Sequence, residues 1–478
     1  MSDTRWDVHR RIKERWIIEG TLELESPAHF GNGDVSMATD MPLARDAATG
    51  RPLLTGASIA GALRHYLHSI DPGRANRLFG EVRTTPRKDN DLQSLVVESA
   101  VIVYDALAKD SENIELRDGV SIDPKTRTAE AKKKYDIELL PAATQFDLCF
   151  ELAISGEENE LIEDLALILD ALEQGRIGLG KRKTRGFGHC KVTHWQVCRY
   201  QITQPEHLIA WINEDRSEQK SGKAILELIR QHGINLNLSP YLHQAEFSLS
   251  ATFRLQGSLL IRSPGLSSNA PDIVHLHSGR KDGLQPVLSG TSLAGALRGR
   301  ALRIANTLAG QNRDRADALI DSMFGPRAAK QLWASRVRVK ESVIQNALTD
   351  HIQNRVKIDR FTGGASSTAL FSEQPVFALP ETRLKTQIEL VKAAHQPKID
   401  RAEVGLLLLL LKDLWTGDLP LGGESSVGRG RLQGVSAELW LEGKQWKIHH
   451  QDGKLLIDGN QDELEECVQE LIGRLQNA

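Results

Sequence analysis

Aspartates in two loops are the residues of this sequence best suited to catalysis. The first loop holds Asp34, Asp40 and Asp46, and the second holds Asp272 and Asp282. A carboxylate can bind a divalent metal ion or orient a hydroxyl group for attack on a phosphate. Loop aspartates more commonly shape turns or carry surface charge. The residue type alone therefore leaves the chemistry open.

A glycine-containing segment that occurs twice is a candidate phosphate site. Gly56–Arg64 and Gly290–Arg298 are identical at seven of nine positions and lie 234 residues apart. Each segment predicts the start of a helix with Ser58 or Ser292 as its N-cap. A helix start offers backbone N–H groups to phosphate. A plain capped helix whose glycine packs against a strand is the alternative.

The loop Gly180–Gly188 combines glycines with positive charge. Its cations are Lys181, Arg182, Lys183 and Arg185, and Phe187 is available to stack on a base. This composition suits a nucleic-acid backbone, with a solvated turn as the alternative. The second copy keeps the glycines around Arg429, but Glu424–Val427 replaces the cations. We expect its grip to rest on backbone N–H groups and on Arg429 or Arg431.

Further landmarks recur in the same order, which indicates duplication. The matched pairs are Leu78–Gly80 with Met323–Gly325, Val120–Asp123 with Val356–Asp359, and Gly186–Gly188 with Gly428–Gly430. Each copy opens with alternating apolar and polar residues, which predicts a strand with one exposed face. We predict an α+β fold with sheets covered by helices. The predicted modules are residues 1–200 and 244–478, joined by a linker over 201–243.

Two segments predict protruding hairpins. Arg117–Leu140 contains the turn signals Asp118-Gly119 and Asp123-Pro124, and Ile352–Val376 contains Gly363-Gly364. A hairpin with little core of its own is only marginally stable without a partner. We therefore expect both hairpins to be functional arms.

Bulk composition excludes several classes of function. The net charge is −3, so a nucleic-acid site must be a local basic surface. The apolar run Val404–Leu411 is too short to span a membrane, and we expect a soluble, cytoplasmic protein with no membrane partner. The four cysteines form no Cys-x-x-Cys pair, which argues against a zinc site. Gly175–Lys181 matches the opening of a Walker A phosphate-binding loop, but Arg182 occupies the position where that motif has a magnesium-binding Ser or Thr. This argues against an ATP site.

Taken in order, these motifs resemble the backbone subunits of type III CRISPR effectors, in the RAMP superfamily. Asp40–Leu53 with Gly56–Arg64 is similar to the family's aspartate loop and first helix, and Arg117–Asp123 is similar to its thumb hairpin. The duplication and length look most like the double-backbone subunit of a type III-D complex. The sequence departs at Ala60 and Ala294, where the family often carries Lys.

The resemblance implies two tandem ferredoxin-like (RRM-like) modules, each with a thumb hairpin and a glycine-rich loop. It implies that the chain binds CRISPR guide RNA and target RNA beside other effector subunits. It also implies that Asp40, and by a weaker match Asp272, cleave target RNA with a divalent metal, Mg²⁺ by preference. The loop from Asp272 to its glycine is two residues longer than that from Asp40, so Asp282 stays open. The expected RNA contacts are Arg51, Ser58, Arg64, Lys181, Arg182, Lys183, Arg185, Ser292, Arg298 and Arg429.

Two rival functions remain. A purely structural backbone subunit would hold guide RNA while other subunits cut. A guide-processing ribonuclease would favour a histidine general base, and no histidine is well placed by sequence.

Overall fold

The structure is a computed structural model. It describes residues 12–31, 33, 39–80, 98–109, 114–123, 126, 128–156, 159–238, 246–265, 270–326, 332–393, 396, 398–451 and 454–476. Asp34 lies outside the described residues.

The first repeat and the segment that follows it carry strands and helices in the order expected for a mixed fold. The elements are β1 (Glu14–Leu24), β2 (Leu53–Leu54), α1 (Gly56–Ile70), α2 (Pro72–Phe79), β3 (Val101–Val103), β4 (Ala106–Leu107), β5 (Glu115–Ile122), β6 (Ala129–Leu139), β7 (Gln145–Ile154), α3 (Glu160–Glu173), β8 (Arg185–Gly186), β9 (Cys190–Gln201), α4 (Pro205–Ile212), β10 (Lys220–Gly222) and α5 (Ile225–Gln231).

The second repeat follows the same order and adds a C-terminal extension. Its elements are β11 (Phe247–Gln256), β12 (Ser258–Leu259), β13 (Arg262–Pro264), β14 (Ile273–His275), β15 (His277–Arg280), β16 (Gly283–Leu288), α6 (Gly290–Ala309), α7 (Arg313–Phe324), β17 (Val337–Lys340), β18 (Ser342–Leu348), β19 (Gln353–Ile358), β20 (Ala365–Gln374), β21 (Val376–Leu390), α8 (Arg401–Trp415), β22 (Arg431–Leu441), β23 (Lys444–Gln451), β24 (Lys454–Asp458) and α9 (Gln461–Gln476).

The central sheet of the first repeat has the strand order β10-β9-β1-β7-β3. Strand β1 pairs antiparallel with both β7 and β9. Its alternating sequence buries Trp16, Ile18 and Leu22, while the residues between them face away from the core. Helix α3 is buried along most of its length. The order β1, α1, β3, β7, α3, β9 with this pairing is a ferredoxin-like module.

The second repeat reproduces this arrangement. Strand β11 lies between β21 and β22, and β21 also pairs with β17. The core side of β11 presents Phe247, Leu249 and Phe253, all buried. The apolar run Val404–Leu411 lies within the largely buried helix α8. The prediction of two ferredoxin-like modules in an α+β fold is therefore confirmed.

The repeats do not coincide with the compact units of the chain. The first unit takes Met1–Ile114, Glu138–Lys181 and Gly188–His243, and the second takes Glu115–Ile137, Arg182–Phe187 and Gln244–Ala478. Hairpin β5–β6, except for its last two residues, and the centre of the first glycine loop thus belong to the second unit. The segment 201–243, predicted as a linker, carries α4, β10 and α5 within the first unit, where β10 pairs with β9.

Candidate nucleic-acid interface

The two predicted helix starts have the same geometry but different caps from those expected. Thr55 and Ser289 are the N-caps, and each side chain accepts from the N–H three residues later, that of Ser58 or Ser292, at 3.3 Å. The prediction that Ser58 and Ser292 cap the helices is wrong. Each helix begins earlier than predicted, because Thr55 or Ser289 has an extended backbone and its hydroxyl oxygen accepts from the N–H three residues further on.

The first glycine of each helix is required by close packing. A Cβ on Gly56 would lie 2.1 Å from the carbonyl oxygen of Val103, and one on Gly290 would lie 2.3 Å from that of Arg185. In the first repeat the Gly56 N–H already donates to the Asp105 carboxylate at 2.7 Å. This N–H is therefore not available to a phosphate without a change of partner.

Three arginines predicted to contact RNA hold parts of the protein together. Arg64 donates to the Phe79 carbonyl, and Arg298 donates to the Phe324 carbonyl, both at 3.3 Å. Each side chain thereby links the first helix of its repeat to the C-terminal end of the second helix in the same repeat. Arg51 donates to the Ala108 carbonyl through Nε at 2.9 Å. Each of them is half-buried, so any RNA contact would add to an internal bond.

The glycine loops of the two repeats share one backbone conformation. Positive φ occurs at Gly180, Arg182, Gly186 and Gly188, with values of 85°, 58°, 89° and 69°. It recurs at Gly422, Glu424, Gly428 and Gly430, with values of 75°, 58°, 90° and 76°. Each loop also closes in the same way, by the N–H of Leu179 or Leu421 donating to the last glycine's carbonyl. The match of the two loops is confirmed to the residue.

The first loop presents cations but not its aromatic ring. Lys181 and Arg185 are exposed and Lys183 is half-buried. Arg182 stacks on the Tyr135 ring, 4.3 Å from its centroid, and donates to the Tyr135 hydroxyl. Phe187 is 2% exposed, so the expectation that it can stack on a base is wrong.

The second loop is closed by an internal ion cluster. Arg429, at the position of Phe187, is 3% exposed. It pairs with Glu373 and Glu424 at 3.1 Å each and donates to Gln353 at 2.8 Å. A guanidinium engaged in this way has little left for a phosphate, so the expectation that Arg429 contacts RNA does not fit its surroundings.

Two further arginines complete this cluster, and sequence reasoning missed both. Arg355 reaches Glu373 at 2.9 Å and Glu424 at 3.1 Å, and Arg262 reaches Glu424 at 3.4 Å. Burial and a hydrogen bond to Glu424 raise the pKa of Glu373. Burial opposes ionisation of Glu424 too, but the Glu373 hydrogen bond and the arginines outweigh it and lower its pKa. With three arginines around two glutamates, the cluster carries net positive charge.

The two candidate catalytic aspartates occupy equivalent positions. Asp40 directly precedes Met41, whose carbonyl accepts from the Glu138 N–H at the base of β6. Asp272 directly precedes β14, which pairs in parallel with the base of β20. Both aspartates are exposed. Asp282 instead lies in the turn between β15 and β16.

The Asp272 carboxylate is engaged within the protein. It accepts from the Ser372 N–H at 2.8 Å and from the Ser372 hydroxyl at 3.1 Å. These two bonds lower the pKa of Asp272, so the group is ionised at neutral pH. The residue combines a local structural task with an exposed negative charge.

Comparison with protein families decides what these repeats are. The family model of the RAMP superfamily matches two regions, residues 21–191 and 270–433. The chain belongs to the RAMP superfamily. The two matches fall on the two repeats, and together they cover more than two thirds of the chain, so it is a tandem RAMP protein. This membership indicates a CRISPR-associated RNA-binding subunit. No curated protein sequence matches the chain.

The hairpins of both RAMP modules have equivalent turns and exposed aliphatic side chains. Asp123 accepts from the Thr126 N–H at 3.0 Å, and Asp359 accepts from the Thr362 N–H at 2.9 Å. The matched residues are similarly exposed: Val120 45%, Ile122 46%, Val356 45% and Ile358 54%. Phe361, at the second tip, is fully exposed. Apolar groups held out by a hairpin need a partner to cover them.

Hairpin β5–β6 is anchored in the second unit by a buried ion cluster that the sequence did not reveal. Arg117 pairs with Glu341 at 2.5 Å, and Glu341 also accepts from Arg280 at 2.7 Å. Glu115, at the start of the hairpin, accepts from the Ser278 hydroxyl at 2.9 Å and from the Gly279 N–H at 2.6 Å. Arg117 begins the segment predicted as the first hairpin, but nothing in the sequence links it to Glu341.

No cluster of three or more His, Cys, Asp or Glu side chains that could hold a metal occurs in the described part of this RAMP protein. Each candidate aspartate offers a single carboxylate. Mg²⁺ is commonly bound through one or two carboxylates together with water and substrate phosphates. The donor set therefore fits a magnesium ion when RNA supplies the remaining ligands. No helix within the described ranges is both long and apolar enough to cross a membrane.

Proposed function

We propose that this chain is a guide-RNA-binding backbone subunit of a type III CRISPR effector, most like the double-backbone subunit of type III-D, and that it cleaves target RNA at Asp40 and Asp272. The observation that carries the proposal is the placement of one exposed aspartate beside the base of each hairpin. The hairpin would displace a nucleotide of the guide–target duplex, and the aspartate would act where the target backbone is splayed.

The first module supplies the chemistry from its own residues as follows. The cations Lys181, Lys183 and Arg185 bind guide phosphates. The exposed aliphatic residues of hairpin β5–β6 cover the edge of the displaced base. Asp40 orients the target strand so that a 2′-hydroxyl lies in line with its own phosphate. A divalent ion, Mg²⁺ by preference, would neutralise charge on the phosphate.

The second module grips RNA differently. Its loop has no cation over Glu424–Val427, and Arg429 is buried in ion pairs. Arg262 is the most exposed member of that cluster, with a side chain 57% exposed. We infer that Arg262 and backbone N–H groups replace the basic loop of the first module.

Site-directed mutation of the aspartates tests the catalytic function. The complex reconstituted with guide RNA is given labelled target RNA, and the cut positions are mapped for Asp40→Ala and Asp272→Ala. We expect each variant to lose the cut opposite its own hairpin while the other cut persists. Asp46→Ala, which alters only a turn bonded to Thr49, and Asp282→Ala are the matched controls.

A non-catalytic scaffold is the second candidate, and one observation favours it for the second module. The bonds from Ser372 give Asp272 a structural task that would retain it without catalysis. If both aspartate variants cut at every site with wild-type rates, the chain is a scaffold and another subunit cuts.

A further inference from the structure

The backbone that follows Asp40 is held at two points by Glu138, near the end of β6. The Glu138 N–H donates to the Met41 carbonyl at 3.0 Å, and the Glu138 carboxylate accepts from the Leu43 N–H through Oε2 at 3.0 Å. Pro42 lies between these two bonds, so its fixed φ and the restricted conformation of the residue before it leave this stretch little freedom. Glu138 thus fixes the direction in which the chain leaves Asp40.

Glu138 is itself firmly placed. The Nδ1 of His29, a buried side chain, donates to the Glu138 carbonyl at 2.9 Å, because a carbonyl oxygen can only accept. Two residues further on, the Leu140 N–H donates to the Ala28 carbonyl at 2.8 Å, and the Ala28 N–H donates to the Leu140 carbonyl at 2.9 Å. Leu139 between them is buried. A carboxylate on so rigid a support can hold the Leu43 N–H in one place.

The loop after Asp40 continues into the core. The Leu43 side chain is buried, and the Ala44 N–H donates to the Phe30 carbonyl at 2.6 Å. Asp40, three residues before Leu43, is exposed. The bonds at Met41 and Ala44 are made by backbone groups, whereas the bond at Leu43 is made by a side chain. A substitution of Glu138 can therefore remove this one attachment and leave the others in place.

The second module holds its candidate aspartate at a different point. There the Ser372 N–H and hydroxyl donate to the Asp272 carboxylate itself. Ser372 lies on β20 and Glu138 lies on β6, and each is the second strand of its hairpin. Both modules thus use this strand to hold the aspartate, the first through a glutamate side chain and the second through a serine. A change at Glu138 should therefore affect the first module alone.

We propose that Glu138 is a positioning residue for cleavage at Asp40, and that its carboxylate serves as the acceptor for the Leu43 N–H rather than through its charge. This inference rests on the proposed function, because it takes Asp40 to promote cleavage of target RNA. In-line attack needs the catalytic group and the RNA in one geometry, and a misplacement of about 1 Å can lower a rate about 100-fold. Glu138 acts by keeping Asp40 in that geometry.

Three substitutions test this role. Glu138→Ala removes the acceptor, whereas Glu138→Gln keeps an oxygen for the Leu43 N–H and removes only the charge. Glu173→Ala is the matched control, because the Glu173 carboxylate also accepts from a backbone N–H in the same unit, that of Ile225 at the start of α5, at 2.8 Å. The control therefore loses a bond of the same kind that does not hold the Asp40 loop.

The complex reconstituted with guide RNA is given labelled target RNA, and each cut is followed in a single turnover. We expect Glu138→Ala to slow the cut assigned to Asp40 at least about tenfold, with target affinity and the cut assigned to Asp272 unchanged. Glu138→Gln and Glu173→Ala should make both cuts at wild-type rates. Hydrogen exchange gives a second readout: the Leu43 N–H should exchange faster in Glu138→Ala and at the wild-type rate in Glu138→Gln.

Asp40→Ala, measured in parallel, separates the possible failures. If Asp40→Ala loses its cut while Glu138→Ala cuts at the wild-type rate, the inference is overturned and the proposed function stands. A Glu138→Gln variant as slow as Glu138→Ala would show that the charge acts directly, which contradicts a positioning role. Loss of the Asp272 cut in Glu138→Ala would make Glu138 a merely structural residue. If Asp40→Ala cuts as wild type does, the proposed function fails and the inference fails with it.

Discussion

Equivalent residues in the two repeats do the same task with exchanged chemistry. Arg117 lies over the ring of Phe187, 5.6 Å from its centroid. At the matching positions Gln353 accepts from Arg429 at 2.8 Å. In the first repeat the arginine lies on the hairpin, and in the second it lies on the loop. The loop contacts the hairpin in both repeats. Sequence could not reveal this exchange, because Glu373 and Gln353 lie 56 and 76 residues from Arg429 along the chain.

The buried carboxylate of Glu341 gives a stability prediction at this scale. Its side chain is fully buried beside Arg117, which is 5% exposed. Glu341→Gln would leave Arg117 buried without full compensation, and we expect a loss of about 3–5 kcal/mol in unfolding free energy. Urea unfolding at pH 7 measures this, with the exposed Glu438→Gln as control. A loss equal to that of the control would show that the cluster does not anchor the hairpin.

The same residue predicts a pH dependence. Burial opposes ionisation of Glu341, but the charges of Arg117 and Arg280 outweigh burial and hold its pKa below the ordinary 4.5. A lowered folded-state pKa means that the stabilisation is complete above pH 4.5 and is lost as the pH falls through the folded value. Urea midpoints measured below pH 4.5 should fall more steeply for wild type than for Glu341→Gln. Parallel curves would contradict this assignment.

At the scale of elements, sequence predicted what local pattern controls and missed what depends on distant pairing. Alternation predicted β1 and β11, and the repeated Gly56–Arg64 and Gly290–Arg298 segments predicted the starts of α1 and α6. The placement of β8 beside β17 was not predictable, because two residues of a glycine loop carry no pattern that selects one sheet edge over another. Repeat spacing also suggested separate modules, whereas hairpin β5–β6 belongs to the second unit.

The mid-helix glycines of α1 and α6 give a prediction about RNA contact. A Cβ on Gly61 or Gly295 would meet nothing within 4 Å, and glycine inside a helix costs about 0.5–1 kcal/mol relative to alanine. Gly61→Ala should therefore raise the unfolding free energy by about that amount. If the guide backbone approaches this helix closely, the same variant should weaken guide binding.

Denaturant unfolding and a guide RNA titration of one preparation separate the two effects. Gly56→Ala is the contrasting variant, because its Cβ would clash with the Val103 carbonyl at 2.1 Å, and it should destabilise the fold. A Gly61→Ala protein that is more stable and binds guide RNA as wild type does would exclude close approach of RNA to α1.

At the scale of the whole molecule, the net charge of −3 makes RNA binding a local property. The exposed cations of the first glycine loop are not matched in the second loop, whose charges are internally paired. We therefore expect the first module to contribute more than the second to the salt dependence of guide RNA affinity. Each phosphate contact with single-stranded RNA contributes about 0.7 to the slope of log affinity against log salt.

The variant Lys181→Ala, Lys183→Ala, Arg185→Ala should lower that slope by about 2 and weaken binding most at low salt. Ser425→Ala with Ser426→Ala, at the positions of Lys183 and Thr184 in the second loop, should leave the slope unchanged. Guide RNA titrations at several salt concentrations measure both. Equal slopes for the triple variant and wild type would show that the guide phosphates bind elsewhere on the molecule. Because the chain has a net negative charge, they would then have to bind at another local group of cations.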